Sequence, residues 1–317
     1  DAVDGAYVSS WADANGKTYS TNGSGGTVGM ALAGSTVAST DLFYAFTSVD
    51  HSHAVMDIDD CGNIYFCSSN YDALYRIPYG STTATALISG TFTPSNSSSS
   101  TTLQTVLDLH VDSKGCVYLA DNDGDQIIKY DPSDPTTGLA KITLLMDSSG
   151  DGSTALDSPR GVTTDSVGNV YVSGYGDPDA VFKITPAGAK SVVLTSTVGA
   201  WGIACDSQDN VYVASHDGNT RVFKITSGGT VSEAMSKEAD GRPMVHPDPA
   251  YTTAAAISSR AHGGGPLAID SQDNVYAGMY YSDNVFKITP EGIVTEILTC
   301  DGDLGSNETG RLYGSKA

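Results

Sequence analysis

The chain has 317 residues, with 37 acidic against 16 basic side chains, which gives a formal net charge of −21 at pH 7. A field of that sign repels phosphate backbones, so no nucleic-acid partner is predicted. No apolar run approaches the roughly 18 residues of a membrane span, and hence no membrane-spanning segment is predicted either.

A short motif recurs along the whole chain. It consists of Asp, two variable residues, Gly or Asp, one variable residue, a β-branched residue and Tyr, and its first residue is Asp13, Asp59, Asp112, Asp165, Asp206 and Asp270. In five copies a basic residue follows the Tyr by 11 or 12 positions, namely Arg76, Lys129, Lys183, Lys224 and Lys287. The mean spacing of about 51 residues, with several short strands in each copy, is typical of β-propeller blades.

The clearest copies read GVTTDSVGNVYVSG, IACDSQDNVYVAS and LAIDSQDNVYAGM, and each is followed by VFKIT. These segments resemble the NHL family over five copies, about residues 51 to 299, whereas the first copy is degenerate. The six copies predict an all-β fold, a six-bladed propeller in one domain, 1–317, and the resemblance implies that each blade has four strands. In chain order the predicted blades cover residues 7–46, 51–92, 104–147, 158–196, 200–235 and 265–300.

Two segments are not needed by any blade. An insertion over residues 233–264 separates the last two copies, and a polar tail occupies residues 301–317. Long connections in compact domains are often functional, so the insertion is a candidate for a role in binding.

The candidate site lies where the loops that lead into the inner strands gather at one face of a propeller. That face is predicted to present His53, Arg160, Trp201 and His262. Hairpin tips on the same face add further candidates, among them His216, Asp217, Tyr280 and Tyr281. The repeat Asp residues are placed on the opposite face, where they are predicted to cap turns.

Two kinds of enzyme share this architecture. Gluconolactonase-like propellers take a metal-binding Glu from the first blade, but Glu233 is the first Glu of this chain. The lyase that cleaves peptidyl-hydroxyglycine binds zinc through three His, and here His53 and His262 alone lie near the starts of blades. Both constellations are incomplete. A catalytic site of His53, Arg160 and His262 therefore remains the alternative hypothesis.

A calcium site is a further candidate. Asp121, Asp123 and Asp125 have the alternate spacing of a calcium loop, although Gln126 stands where Gly is expected and no Glu closes the loop. No cofactor is predicted apart from this weak Ca²⁺ candidate.

The cysteines and the sequons point to the cell exterior. Of the five Cys, Cys61 and Cys116 are the candidate disulfide pair. Asn22, Asn96 and Asn307 are N-glycosylation acceptors by sequence. Taken together, the sequence predicts a secreted, glycosylated, non-catalytic scaffold that binds a protein or glycan partner or copies of itself. The alternative is a metal-dependent hydrolase or lyase with its site at the channel mouth.

Overall fold

The fold is described from a computed structural model. The described residues are 54–68, 71–81, 83–133, 138–176, 179–196, 199–215, 221–236, 264–279 and 285–298, together with the backbone of four strands within residues 8–45.

The described residues form 24 strands in six antiparallel sheets of four, and each sheet is a meander of consecutive strands. This confirms the predicted all-β class and the four-stranded repeat. The first three sheets contain β1 Val8–Ala12, β2 Lys17–Asn22, β3 Thr27–Leu32 and β4 Phe43–Ala45 (sheet 1); β5 Ala54–Ile58, β6 Ile64–Ser68, β7 Tyr71–Ile77 and β8 Thr85–Ser89 (sheet 2); β9 Val106–Val111, β10 Val117–Asp121, β11 Gln126–Asp131 and β12 Lys141–Met146 (sheet 3).

The next three sheets repeat this order. They contain β13 Pro159–Thr164, β14 Val170–Gly174, β15 Asp179–Ile184 and β16 Lys190–Ser196 (sheet 4); β17 Ala200–Cys205, β18 Val211–Ser215, β19 Arg221–Ile225 and β20 Val231–Ser236 (sheet 5); β21 Gly264–Ile269, β22 Val275–Met279, β23 Val285–Ile288 and β24 Val294–Leu298 (sheet 6).

The chain divides into two compact units, one up to Leu144 and one from Leu145 onward. In the first unit, sheets 2 and 3 pack face to face around Leu74, Leu119 and Ile128, which are fully buried. In the second unit, sheets 4 and 5 share a core that includes Val181 and Val213, and sheets 5 and 6 share another. A single four-stranded blade cannot bury the faces of its own sheet, so each sheet packs against the next one.

The repeat Asp residues cap turns, as the sequence predicts. In sheet 4 the Oδ1 of Asp165 accepts the backbone N–H of Val167 at 3.2 Å and of Asn169 at 2.8 Å. Its Oδ2 accepts the Asn169 amide and the hydroxyl of Tyr171. The same Asp-to-Tyr bond forms in the other sheets with described side chains, at Asp59, Asp112, Asp206 and Asp270. We call this end of each sheet, where its first two strands join, the turn end.

The basic residue of each repeat belongs to the same cluster. Its charged group lies 5.2 to 5.9 Å from the centre of the repeat Tyr ring, within the range of a cation–π contact, in the pairs Arg76–Tyr65, Lys129–Tyr118, Lys183–Tyr171, Lys224–Tyr212 and Lys287–Tyr276. The motif spacing therefore reflects one structural cluster, in which the repeat Asp, Tyr and basic residue join the turn, the second strand and the third strand of a sheet.

In the second unit, neighbouring sheets are also joined at the turn end. Asp209 accepts the N–H and the hydroxyl of Ser166, both at 2.8 Å. Asp273 binds Ser207 in the same way, at 2.9 and 2.7 Å. Both Asp residues have a positive φ, 60° and 59°, at the position where sheets 2, 3 and 4 have Gly. The two hydrogen bonds offset the strain of a left-handed non-Gly residue.

Candidate functional site

The candidate site lies at the ends of the strands opposite the turn end, which we call the open end. Here the inner strands β13, β17 and β21 each begin with a β-bulge, at Arg160, at Trp201–Gly202 and at Gly265–Pro266. A bulge leaves a residue outside the pairing ladder and redirects its side chain, and bulges are common beside functional sites.

The bulges bring two of the predicted site residues together. The Arg160 guanidinium carbon lies 4.1 Å from the Trp201 ring centre and 4.7 Å from the Tyr175 ring centre. All three side chains are partly exposed, so an aromatic–guanidinium–aromatic stack lies half-buried at the open end of sheets 4 and 5. Such a stack holds a cation in place through the faces of the rings.

Glycines allow the backbones of neighbouring inner strands to approach each other closely behind this stack. A Cβ on Gly161 would lie 2.8 Å from the Trp201 carbonyl oxygen, and a Cβ on Gly202 would lie 2.3 Å from the Gly265 carbonyl oxygen. The Ser173 hydroxyl also donates to the Trp201 carbonyl. The backbone of one inner strand is therefore pressed against the next, which fixes where Arg160 and Trp201 emerge.

The loops beside the stack are held by a carboxylate. Asp179 is 7% exposed, and it accepts the N–H of Gly199 at 2.6 Å and that of Gly176 at 3.1 Å. The Tyr175 N–H donates to the Ser158 carbonyl at 3.2 Å. These bonds anchor the chain on both sides of Tyr175, a residue that the sequence analysis did not select.

A carboxylate–imidazole pair that the sequence analysis also missed lies in the first unit. His110 Nδ1 is 3.5 Å from Asp57 Oδ2, and the same oxygen accepts the Val111 N–H at 2.7 Å. Desolvation raises the pKa of Asp57 and lowers the pKa of His110, although the charge of each partner opposes its shift. Asp57 belongs to β5 of sheet 2 and His110 to β9 of sheet 3, so the pair connects the first strands of these two sheets.

The structure does not assemble the predicted calcium site. Asp121 is fully buried, and its carboxylate accepts the N–H of Gln104 and Thr105 and the side-chain amide of Gln126. Asp123 instead accepts the Thr105 hydroxyl, while Asp125 is a left-handed turn residue. Among the described residues, no group of three or more His, Cys, Asp or Glu could hold a metal ion.

The predicted disulfide is likewise not formed. Cys61 and Cys116 are free thiols, as are Cys67 and Cys205 within the described ranges. The physical reason is that the two thiols lie in different surroundings, since Cys61 is exposed at its turn whereas Cys116 is buried beside β10 in the next sheet. Burial raises the pKa of the Cys116 thiol to about 11, so it stays protonated at neutral pH.

Several predicted site residues lie outside the described residues. They are His53, His262, His216, Asp217, Tyr280, Tyr281 and Asn307. Asn22 ends β2, a strand described by its backbone alone. Asn96 is described and exposed, and its amide hydrogen-bonds with the backbone of Leu144. In the part of the chain that is described, no helix is long and apolar enough to cross a bilayer.

Comparisons with known proteins agree with the repeat architecture. A family model described as a beta-propeller repeat matches residues 149–178. A search of curated proteins finds no match. Among solved structures, virginiamycin B lyase from Staphylococcus aureus is similar, with a TM-score of 0.61 and 14% identity, over 96% of this chain and 86% of that one.

Two further solved structures give the same result. A streptogramin B lyase matches with a TM-score of 0.61 and 13% identity, over 96% of this chain and 89% of that one. A propeller chain of a nidogen/laminin complex matches with a TM-score of 0.57 and 15% identity, over 98% and 97%. At these identities the likeness shows the fold alone, which is a β-propeller.

Proposed function

We propose that the six sheets close into one NHL-type propeller, and that the protein is secreted and binds a protein or glycan partner, or copies of itself, at the open end without catalysing a reaction. The observation that carries this proposal is the stack of Arg160 between Tyr175 and Trp201. It is built from residues that interrupt the repeat, whereas the repeated residues are used in the turns.

The composition of the stack supports binding. Trp, Tyr and Arg are the residue types most enriched among those that dominate binding energy at interfaces. Arg160 also places a positive charge at the open end of a chain whose net charge is −21. An anionic or planar group of a partner is the complement of such a site.

The nidogen/laminin structure supports this class of function by analogy. There, a chain of similar fold belongs to a complex between two proteins. Because fold does not determine function, this analogy is weaker than the geometry of the stack.

The test compares two cation–π pairs of the same sheet. We expect Arg160→Ala to weaken binding to an immobilised panel of glycans, or self-association in analytical ultracentrifugation, by at least tenfold. Lys183→Ala is the matched control, because Lys183 lies 5.2 Å from the Tyr171 ring at the turn end. Unchanged binding by Arg160→Ala would contradict the proposal, as would equal losses in both variants.

Self-assembly has its own test. Cys61 is an exposed free thiol, so a disulfide-linked oligomer would dissociate in reductant. Size-exclusion chromatography at high protein concentration without reductant should show species larger than the 32.8 kDa monomer, and reductant should dissociate those that are linked through Cys61. Monomers alone under both conditions would remove the self-assembly part of the proposal.

A second candidate function is that of a lyase or hydrolase with Arg160, His53 and His262 at the site. The observation that favours it is the similarity to virginiamycin B lyase over 96% of this chain. A catalytically inactive variant of that enzyme has been solved with quinupristin. Incubation of the protein with quinupristin and divalent metal ions, followed by chromatography, tests the candidate. Turnover that His53→Ala abolishes would establish it and displace the non-catalytic proposal.

A further inference from the structure

The polar loop of residues 93–102 lies along the outer strand of sheet 3. Its ends are paired by two backbone hydrogen bonds between Phe92 and Thr101, at 2.9 and 2.8 Å. The Ser95 N–H donates to the Ile142 carbonyl in β12 at 2.8 Å. The loop thus covers part of a strand edge whose ladder groups would otherwise face solvent.

Asn96 completes this cover with its side chain. The Leu144 N–H donates to Asn96 Oδ1 at 3.0 Å, and Asn96 Nδ2 donates to the Leu144 carbonyl at 2.8 Å. One side-chain amide therefore satisfies both backbone groups of one residue, as a paired strand would.

This pairing determines which of the two Nδ2 protons of Asn96 forms the hydrogen bond. Because Oδ1 and Nδ2 both face Leu144, the proton that Nδ2 donates is the one cis to Oδ1. N-glycosylation joins Nδ2 to the sugar C1, while the bond from C1 to the pyrophosphate of the sugar donor breaks and Nδ2 loses one proton. The product is a secondary amide, and a trans secondary amide places its new substituent cis to the oxygen.

The sugar would thus take the position of the proton that Leu144 accepts. We propose that glycosylation of Asn96 and docking of the 93–102 loop on β12 are mutually exclusive, so that the sequon is available only while the loop is undocked. The proposal refines the glycosylation expected of a secreted protein, and it is independent of the partner site at the open end.

The experiment uses the full chain in a secretory host, with an added sequon as an internal standard. Gly80→Asn creates the sequence Asn-Ser-Thr in an exposed turn. Gly80 has a φ of 72° with nothing within 4 Å of an added Cβ, and Asn tolerates this left-handed conformation. Ser98→Ala is the second control, because it removes the Asn96 sequon and leaves the Asn96 amide intact.

Glycopeptide mass spectrometry gives the occupancy of each site. In a host that glycosylates the Gly80→Asn position, we expect Asn96 to be occupied at least fivefold less. Thr101→Pro removes the bond from Thr101 N–H to Phe92 and should raise Asn96 occupancy several-fold. If occupancy stays low in Thr101→Pro, the docked loop is not what excludes the glycan, and the proposal fails.

Hydrogen exchange gives the second readout. In any molecules that carry a glycan on Asn96, the Leu144 amide should exchange at least tenfold faster than in Ser98→Ala. A glycosylated Asn96 with Leu144 as protected as in that control would overturn the proposal. It would leave the partner-binding proposal untouched, since Arg160 and Trp201 are not involved.

Discussion

The two ends of the sheets differ in whether the same side chains recur from one sheet to the next. At the turn end, the Asp, the Tyr and the basic residue form the same cluster in every sheet with described side chains. At the open end the corresponding inner-strand positions are Arg160 in sheet 4, Trp201 in sheet 5 and Gly265 in sheet 6. The same backbone bulge therefore carries three different residues.

This difference separates the fold from the function. A residue that is needed for folding is needed in every copy, since each sheet faces the same packing problem. A residue that binds a partner has no reason to recur. The open end combines a repeated backbone with unrepeated side chains, which is what a binding site built on a repeat requires.

The largest loss of stability is expected at the open end, where the backbones of neighbouring inner strands are in close contact. Gly202→Ala would place a Cβ 2.3 Å from the Gly265 carbonyl oxygen and 2.9 Å from the Leu267 nitrogen. Because backbone atoms cannot move aside, we expect the free energy of unfolding to fall by about 3 kcal/mol in urea denaturation.

Gly228→Ala is the matched control for that change. Its Cβ would meet only the Thr226 hydroxyl oxygen, at 3.9 Å. We expect a change within about 0.5 kcal/mol. Equal stability of both variants would mean that sheets 5 and 6 do not approach closely at the open end.

A smaller effect is expected at the bonds between sheets at the turn end. Ser207→Ala removes the hydroxyl that donates to Asp273 at 2.7 Å, which should lower the free energy of unfolding by about 1 kcal/mol. Ser113 occupies the same position in its own repeat, but the next repeat has Gly168 where Asp273 provides the carboxylate. Ser113→Ala should therefore be neutral, and an equal loss would contradict the role given to the Ser–Asp bonds.

The smallest effect is expected from titrating one turn carboxylate. Burial alone would raise the pKa of Asp270, but hydrogen bonds from Asn274, Tyr276 and Gln272 outweigh it and hold this pKa at about 2. An unfolded Asp titrates near 3.9, so the unfolded chain binds the proton first as the pH falls. The stabilisation by Asp270 is thus present above about pH 4 and lost towards pH 2.

This pH dependence is checked with Asp270→Asn. The urea midpoints of the wild type and the variant should differ most at neutral pH and converge as the pH falls from 4 to 2. A constant gap over that range would show that the Asp270 hydrogen bonds do not favour its charged form.

Much of the fold could be predicted from the sequence, because a repeated motif reports a repeated structure. In every copy the Asp and the Tyr are six residues apart because the Tyr hydroxyl must reach the Asp carboxylate across a turn, as Tyr171 reaches Asp165. The open end offers no such redundancy. Arg160 and Trp201 could be placed on one face from their positions before the inner strands, but their contact depends on bulges that the sequence does not mark.

Some residues of the candidate sites could not be assigned correctly from the sequence pattern alone. Tyr175 follows its repeat Tyr by four positions, as His216 and Tyr280 do in the next two copies, so alignment of the copies could have found it. The calcium candidate was wrong in the structure for a physical reason. Asp121 ends β10 and is buried to accept N–H groups, and spacing alone cannot show that its oxygens are already used.

The most direct test of the division between the two ends is urea unfolding of Asp165→Ala and Arg160→Ala, two changes in one sheet. Asp165→Ala leaves the buried Asn169 N–H and its amide without their acceptor, so it should cost about 3 kcal/mol. Arg160→Ala removes a half-exposed cation–π stack and should cost about 1 kcal/mol. If Arg160→Ala is instead as destabilising as Asp165→Ala, the open-end stack is there to hold the fold, and the account of it as a binding site is wrong.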